Sequence, residues 1–144
     1  MKPEQTFRSL MQEDPDWLAS QRAPIEVLLR GNPDGQAKYQ TAAGKLGVIR
    51  AALEGDVFRA DQTFELQGLG IILGDALASE LGMKWMMVED QYGVSPCLVI
   101  DGTSIVLFPQ TMISKRIEKG EKPDVFDLFN FLAAKVDELK AQGV

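Results

Sequence analysis

The segment from Asp61 to Leu81, DQTFELQGLGIILGDALASEL, constrains the fold most strongly, because on a helix its apolar side chains point in every direction. A helix that is apolar on all sides is stable only where other elements cover it, so we expect a central buried helix that ends at Gly82. Gly70 and Gly74 lie four residues apart on one face and predict the close approach of another element. A nucleotide-binding glycine loop is the weaker interpretation, because such a loop follows a strand rather than lying inside a helix.

The hydrophobic pattern changes after Gly82 from a helical period to short apolar runs. Three runs rich in Val, Ile and aromatic residues, KWMMVED, PCLVI and SIVLF, predict three strands between residues 84 and 108. The segment DQYGVSP joins the first two strands, and the dipeptide Asp101-Gly102, a strong signal for a tight turn, joins the second pair. We therefore expect a three-stranded antiparallel meander that packs against the central helix.

Helical patterns occupy the chain on either side of this core. An amphipathic stretch at residues 3–13 and a regular apolar stripe between Gln36 and Leu53 predict helices before the central one. Two more helices follow the strands, one beginning at Pro109 and one capped by Asp124.

Length and apolar content place the whole chain in one domain. With 144 residues, of which 45% are hydrophobic, the chain is long enough to bury a core without disulfides or metals. We expect a single α+β domain over residues 1–144, with a helical N-terminal part at residues 1–60 and an α+β core at residues 61–144. No apolar run approaches the ~20 residues of a membrane span. The N-terminus lacks the apolar segment of a secretory signal, so we expect a cytoplasmic protein.

The absence of histidine removes much of the usual catalytic chemistry. The chain contains no histidine and one cysteine, Cys97, so Ser-His-Asp triads, Cys-His pairs and imidazole zinc sites are excluded. The net charge of -6 argues against an extended nucleic-acid surface, which requires a basic face. It favours solubility alone, or a basic protein partner. The sequence therefore indicates no catalytic residue, no metal and no cofactor.

Three segments carry a resemblance to a known family. LGDALASELGMKW, DQYGVSP and LFPQTMISKRIEKGE lie between Leu69 and about Gly120 and resemble the core of an uncharacterised bacterial family, one of the domains of unknown function. The resemblance implies a bacterial source and one folded unit. It implies no catalytic residue and no cofactor.

Two charged residues occupy positions where a charge is unexpected. On the helix that begins at Pro109, Arg116 falls inside the apolar face, and Asp75 lies among apolar residues of the central helix. Because a buried unpaired charge is costly, we predict that Arg116 and Asp75 form a structural ion pair. The alternative is that Arg116 extends to the surface along its aliphatic stem, with Asp75 on an exposed patch.

Three functional classes remain open. The acidic balance and the missing motifs favour a non-enzymatic protein-interaction or inhibitor-type domain of a bacterial cytosolic protein, with a basic partner and an oligomeric state left open. The second class is a binder of small anionic ligands, which would use the polar face formed by Thr111, Ser114 and Lys115. The third is a carboxylate-based or magnesium-dependent enzyme, with the candidates Asp75, Glu80, Glu89 and Asp90.

Overall fold

The computed structural model describes residues 5–144, over which the chain forms six α-helices and one antiparallel sheet of four strands. The helices are α1 (Asp14–Glu26), α2 (Pro33–Tyr39), α3 (Ala42–Glu54), α4 (Thr63–Leu81), α5 (Met112–Glu118) and α6 (Val125–Ala141). The strands are β1 (Thr6–Arg8), β2 (Lys84–Asp90), β3 (Gly93–Val99) and β4 (Val106–Leu107). Short 3-10 turns follow α1 and precede α5, at Val27–Leu29 and Pro109–Thr111. The mixture of helices and antiparallel sheet agrees with the predicted α+β class.

Helix α4 lies at the centre of the core. Leu69, Ile72 and Leu73 are completely buried, and α1, α3, α5 and α6 all contact the helix. Each such side chain contributes about 1.5–3 kcal/mol on burial, so α4 depends on its neighbours for stability. The helix ends at Gly82, whose φ of 65° lies in the left-handed region that favours glycine. Within residues 5–144, neither α4 nor any other helix has the length and hydropathy needed to cross a membrane.

Two glycines of α4 let neighbouring elements approach its backbone. A Cβ added to Gly70 would collide with the backbone carbonyl oxygens of Pro109 and Gln110. A Cβ added to Gly74 would collide with the indole ring of Trp85. The close approach predicted at both glycines is therefore confirmed, and their function is packing.

The sheet has the order β1-β2-β3-β4, and every neighbouring pair is antiparallel. Its register places Trp85 opposite Leu98, on the face that packs against α4, and Met86 opposite Cys97 on the other face. Cys97 is completely buried, and burial raises the pKa of its thiol to about 11. The thiol therefore stays protonated at neutral pH, which argues against a role as a nucleophile.

Strand β1 corrects two expectations, the entirely helical character of residues 1–60 and the three-stranded sheet. Residues 6–8, which fall within the helix predicted at 3–13, pair instead with Met87–Glu89 of β2. Three residues are too few to show a period in the sequence. The free edge of β2, distant along the chain, supplies the backbone hydrogen-bond partners that favour the extended conformation. Residues 3 and 4 of the predicted helix lie outside the described residues.

An ion pair fastens β1 to α1. Arg8 Nη1 lies 2.7 Å from Asp14 Oδ2, which also accepts a hydrogen bond of 2.7 Å from the backbone N–H of Met11. The hydrogen bond from Arg8, followed by that from Met11, lowers the pKa of the Asp14 carboxyl below its usual value. The edge strand is thus held by side-chain contacts as well as by the sheet.

Candidate functional site

Asp75 on α4 is the centre of a polar cluster inside the helical layer. Arg22 on α1 donates two hydrogen bonds to its carboxylate, from Nε to Oδ2 at 2.6 Å and from Nη2 to Oδ1 at 2.8 Å. Trp85 on β2 donates a third, from Nε1 to Oδ1 at 3.0 Å. The exposed fractions of the Arg22 and Asp75 side chains are 21% and 16%. The carboxylate therefore joins α4 to α1 through a largely buried, bidentate ion pair, and to β2 through the indole hydrogen bond.

The predicted ion pair between Arg116 and Asp75 is wrong. Arg116 is half-buried and donates from Nη1 to the backbone carbonyl of Met112 at 2.7 Å, within its own helix α5. Helical phase correctly marks Asp75 as a charge that needs a partner, but phase sets no distance to any particular neighbour. The partner is Arg22, on a helix that packs beside α4.

Tyr39 borders this cluster from α2. Its Oη is buried and has no hydrogen-bond partner among the described residues. Burial raises the pKa of the phenol, and the nearby carboxylates of Glu26 and Asp75 raise it further. The Lys45 ammonium lies 4.5 Å from the centre of the Tyr39 ring. The phenol therefore remains neutral, and the geometry gives this cluster a structural rather than an acid–base role.

A basic pocket lies on α5 and the turn before it. We use this name for the cavity of about 490 Å³ lined by Phe108, Thr111, Met112, Lys115, Arg116, Lys119 and Glu121. Three cationic side chains face it and only one carboxylate does. Of the ligand-binding residues predicted from the sequence, Thr111 and Lys115 are therefore brought together at one cavity.

Ser114, the third predicted ligand residue, is not at the basic pocket. Its side chain is buried, and its Oγ donates to the backbone carbonyl of Thr111 at 3.4 Å. The expectation rested on a regular helix beginning at Pro109, whereas a 3-10 turn precedes α5 and changes the angle between successive side chains. Lys119, which was not among the predicted ligand residues, follows the last residue of α5. Its side chain lines the pocket, where Ser114 does not.

The cations of the basic pocket form no salt bridge with any of residues 5–144. Among residues 5–144, eight basic side chains form salt bridges, whereas Lys115, Arg116 and Lys119 form none. They are unpaired although the chain carries 21 acidic residues against 15 basic ones. Three positive charges that form no salt bridge among the described residues are therefore concentrated at this cavity.

An aromatic groove adjoins the basic pocket. It has a volume of about 450 Å³ and is bordered by Phe131, by the carboxylates of Glu121, Asp124 and Asp127, and by Arg116, Lys122, Pro123 and Leu128. The Phe131 side chain is 65% exposed, a large fraction for a phenylalanine. Arg116 and Glu121 also line the basic pocket, so the two cavities are direct neighbours.

The carboxylates proposed for an enzyme do not gather at one place. Asp75 is held by Arg22 and Trp85, while Asp90 accepts a hydrogen bond of 2.8 Å from the backbone N–H of Tyr92 in the β2–β3 turn. Glu80 and Glu89 are exposed. No three side chains of Asp, Glu or Cys within residues 5–144 are grouped so that they could hold a metal ion.

Comparisons with known proteins identify a family and a fold. The family described as Domain of unknown function (DUF3806) matches residues 45–129, more than half of the chain, and this match includes the whole basic pocket. No curated protein matches. A crystal structure of a protein from Bacteroides thetaiotaomicron VPI-5482 is similar, with a TM-score of 0.71 and 13% sequence identity. The match covers 90% of this chain but 47% of that protein, and at this identity it shows the fold alone.

Proposed function

Because the chain belongs to the DUF3806 family of domains of unknown function, its activity has to be inferred from its own geometry, and we propose that it binds an anionic ligand in the basic pocket. The observation that carries this proposal is the set of three cations, Lys115, Arg116 and Lys119, that line one cavity and form no salt bridge among residues 5–144. We also propose that the domain works in a reducing compartment such as the cytoplasm, and its single, buried, free cysteine supports this location.

Charge repulsion and hydrogen-bonding capacity both support an anion at this place. Lys115 lies on α5 and Lys119 immediately follows it, four residues along the chain, and because both line one cavity their like charges destabilise each other. An anion between them would remove that repulsion and accept hydrogen bonds from both ammonium groups. Arg116 has further N–H groups beyond the one bonded to Met112, and the Thr111 hydroxyl offers a neutral donor.

The proposal predicts that reversing two charges strongly weakens anion binding. Inorganic pyrophosphate titrated into the protein at low salt should bind, with chemical-shift changes in the amide signals of residues 111–119. Lys115→Glu with Lys119→Glu should weaken this binding by about a hundredfold, since each hydrogen bond to a charged group contributes about 1.5 kcal/mol. Added salt should weaken the wild-type binding in a graded way.

The matched control makes the same change of net charge elsewhere. Lys135→Glu with Lys140→Glu replaces two exposed lysines of α6, outside the basic pocket, and should leave pyrophosphate binding within about twofold of wild type. An equal loss of pyrophosphate affinity in the two double variants would mean that binding depends only on the net charge of the protein. The proposal also fails if wild-type protein shows no binding at low salt.

A second candidate function, binding of a basic protein segment, is favoured by the aromatic groove. Exposed aromatic side chains that are flanked by charges are typical of residues that dominate the energy of protein interfaces. Phe131 supplies an apolar contact, and the carboxylates of Glu121, Asp124 and Asp127 surround it. A partner segment that carries lysine or arginine beside an apolar residue would complement this surface.

Removal of the aromatic ring tests this second candidate. A fluorescein-labelled peptide with the repeating sequence Lys-Leu-Lys should bind the wild-type protein in a fluorescence-anisotropy titration. Phe131→Ser should weaken that binding by about tenfold or more, as expected for the central aromatic of an interface. Tyr92→Ser, which removes an 82% exposed aromatic from the β2–β3 turn, is the control and should change nothing. Equal effects of the two variants would indicate non-specific adsorption of the peptide.

A further inference from the structure

A third cavity, which we name the apolar cleft, opens between the loop that joins α3 to α4 and the loop that follows α5. Its volume is about 350 Å³, within the range of small-molecule sites. The floor consists of apolar side chains from three helices and the first loop, namely Ala52, Leu53, Phe58, Leu66, Leu69 and Ile117. An apolar cavity of ~150 Å³ already accepts benzene, so this cleft has room for a larger apolar group.

The mouth of the apolar cleft carries charges of both signs. Asp56 and Lys122 come from the two opposite loops, and their Oδ1 and Nζ atoms are 3.4 Å apart. Arg59, whose Nε also lies 3.0 Å from Oδ1 of the exposed Asp61, adds a second cation. Glu121, which forms no salt bridge among the described residues, adds a second carboxylate. Both Asp56 and Lys122 are more than half exposed, so their pair contributes little to stability and can exchange for a ligand.

We infer that the apolar cleft binds a free α-amino acid with an apolar side chain, of the size of leucine or phenylalanine. The floor of the cleft matches the side chain of the ligand, since the protein side chains that form the floor are all hydrocarbons. The two carboxylates at the mouth match the ligand ammonium group, and the two cations match its carboxylate. The inference does not rest on the anion site of the basic pocket, which is lined by a different set of cations.

Ligands with a single charge fit this mouth less well. A simple fatty or aromatic acid would satisfy Lys122 and Arg59 but would bring its negative charge beside Asp56 and Glu121. An alkylamine has the opposite difficulty with the two cations. A sugar or a polar amino acid would make no apolar contact with the floor, so neither ligand would gain binding free energy from burying the floor's apolar surface. The zwitterion complements all four charges of the mouth at once, since the two cations and the two carboxylates there have a net charge of zero.

A set of leucine analogues tests each part of this inference by calorimetry on the wild-type protein. L-leucine should bind, whereas 4-methylpentanoate, which lacks the ammonium group, and 3-methylbutylamine, which lacks the carboxylate, should each bind at least about tenfold more weakly. Glycine, which lacks the side chain, should not bind measurably. Equal affinity of any analogue and L-leucine would overturn the corresponding part of the assignment, and no binding of L-leucine or L-phenylalanine would overturn the whole.

Two adjacent alanines provide a matched pair of variants for locating the site. Ala52 is buried and lines the cleft, so Ala52→Leu should fill it and abolish leucine binding. Ala51 is exposed on the same helix, and Ala51→Leu adds the same atoms without entering the cleft. Retained binding in Ala52→Leu would exclude the cleft. If Ala52→Leu does not fold, as judged by its thermal melt, Lys122→Met at the mouth replaces it and should weaken binding of L-leucine but not of 3-methylbutylamine.

Discussion

Arg22→Met is expected to lower the free energy of unfolding by about 3 kcal/mol. The substitution leaves the largely buried Asp75 carboxylate with one remaining donor, the indole of Trp85. Breaking a buried ion pair from one side costs about 3–5 kcal/mol, and the partial exposure of both side chains places this pair at the lower end. Urea unfolding followed by tryptophan fluorescence measures the change, because Trp85 belongs to the cluster.

Two further variants establish that the loss comes from the unpaired carboxylate. Adding Asp75→Leu to Arg22→Met should recover part of the stability, since the buried charge is then absent. Arg116→Met removes the arginine that helical phase assigned to Asp75. It should cost less than about 1 kcal/mol, because among the described residues that side chain forms no salt bridge and its hydrogen bond is to its own helix. A large loss in Arg116→Met together with a small loss in Arg22→Met would show that the carboxylate pairs differently in solution.

Gly70→Ala is expected to lower the free energy of unfolding by about 2–3 kcal/mol. Alanine is the better helix former by about 1 kcal/mol, but its Cβ would meet the backbone carbonyls of Pro109 and Gln110. Backbone atoms cannot rotate out of the way as a side chain does, so α4 and the 3-10 turn must separate. Thermal and urea unfolding should show the loss.

A second glycine inside a helix provides the control for this prediction. Gly47 lies inside α3, and a Cβ added there has nothing within 4 Å. Gly47→Ala should therefore raise the free energy of unfolding by up to about 1 kcal/mol. If the two substitutions change stability in the same direction, the collision at Gly70 does not control its effect.

The sequence predicts those structural features that depend on a pattern of residues close together in the chain. The apolar residues on all sides of the segment 61–81 identify α4, and Gly82 marks its end because a left-handed residue is needed there. The antiparallel character of the strands after it follows from their short connections. Local patterns of this kind need no knowledge of distant partners.

The features missed depend on residues far apart in the chain. β1 is extended because β2 offers it a free edge, and no pattern within three residues records that fact. Asp75 is recognisable as a charge among apolar neighbours, but its partner Arg22 lies on a helix whose position depends on packing. At the basic pocket, the 3-10 turn before α5 changes the direction of the side chains that follow it, so Lys119 lines the pocket and Ser114 does not.

The ion pair between Arg22 and Asp75 has a consequence for the size of the cooperative unit. Asp75 and Trp85 lie within the family match at residues 45–129, whereas Arg22 lies before it. A fragment cut to the matched segment would lose the cation for its buried carboxylate and the covering of α4 by α1. We therefore expect the region that folds together to be larger than the family match, and a chain excised at the family boundary to be unable to complete its own core.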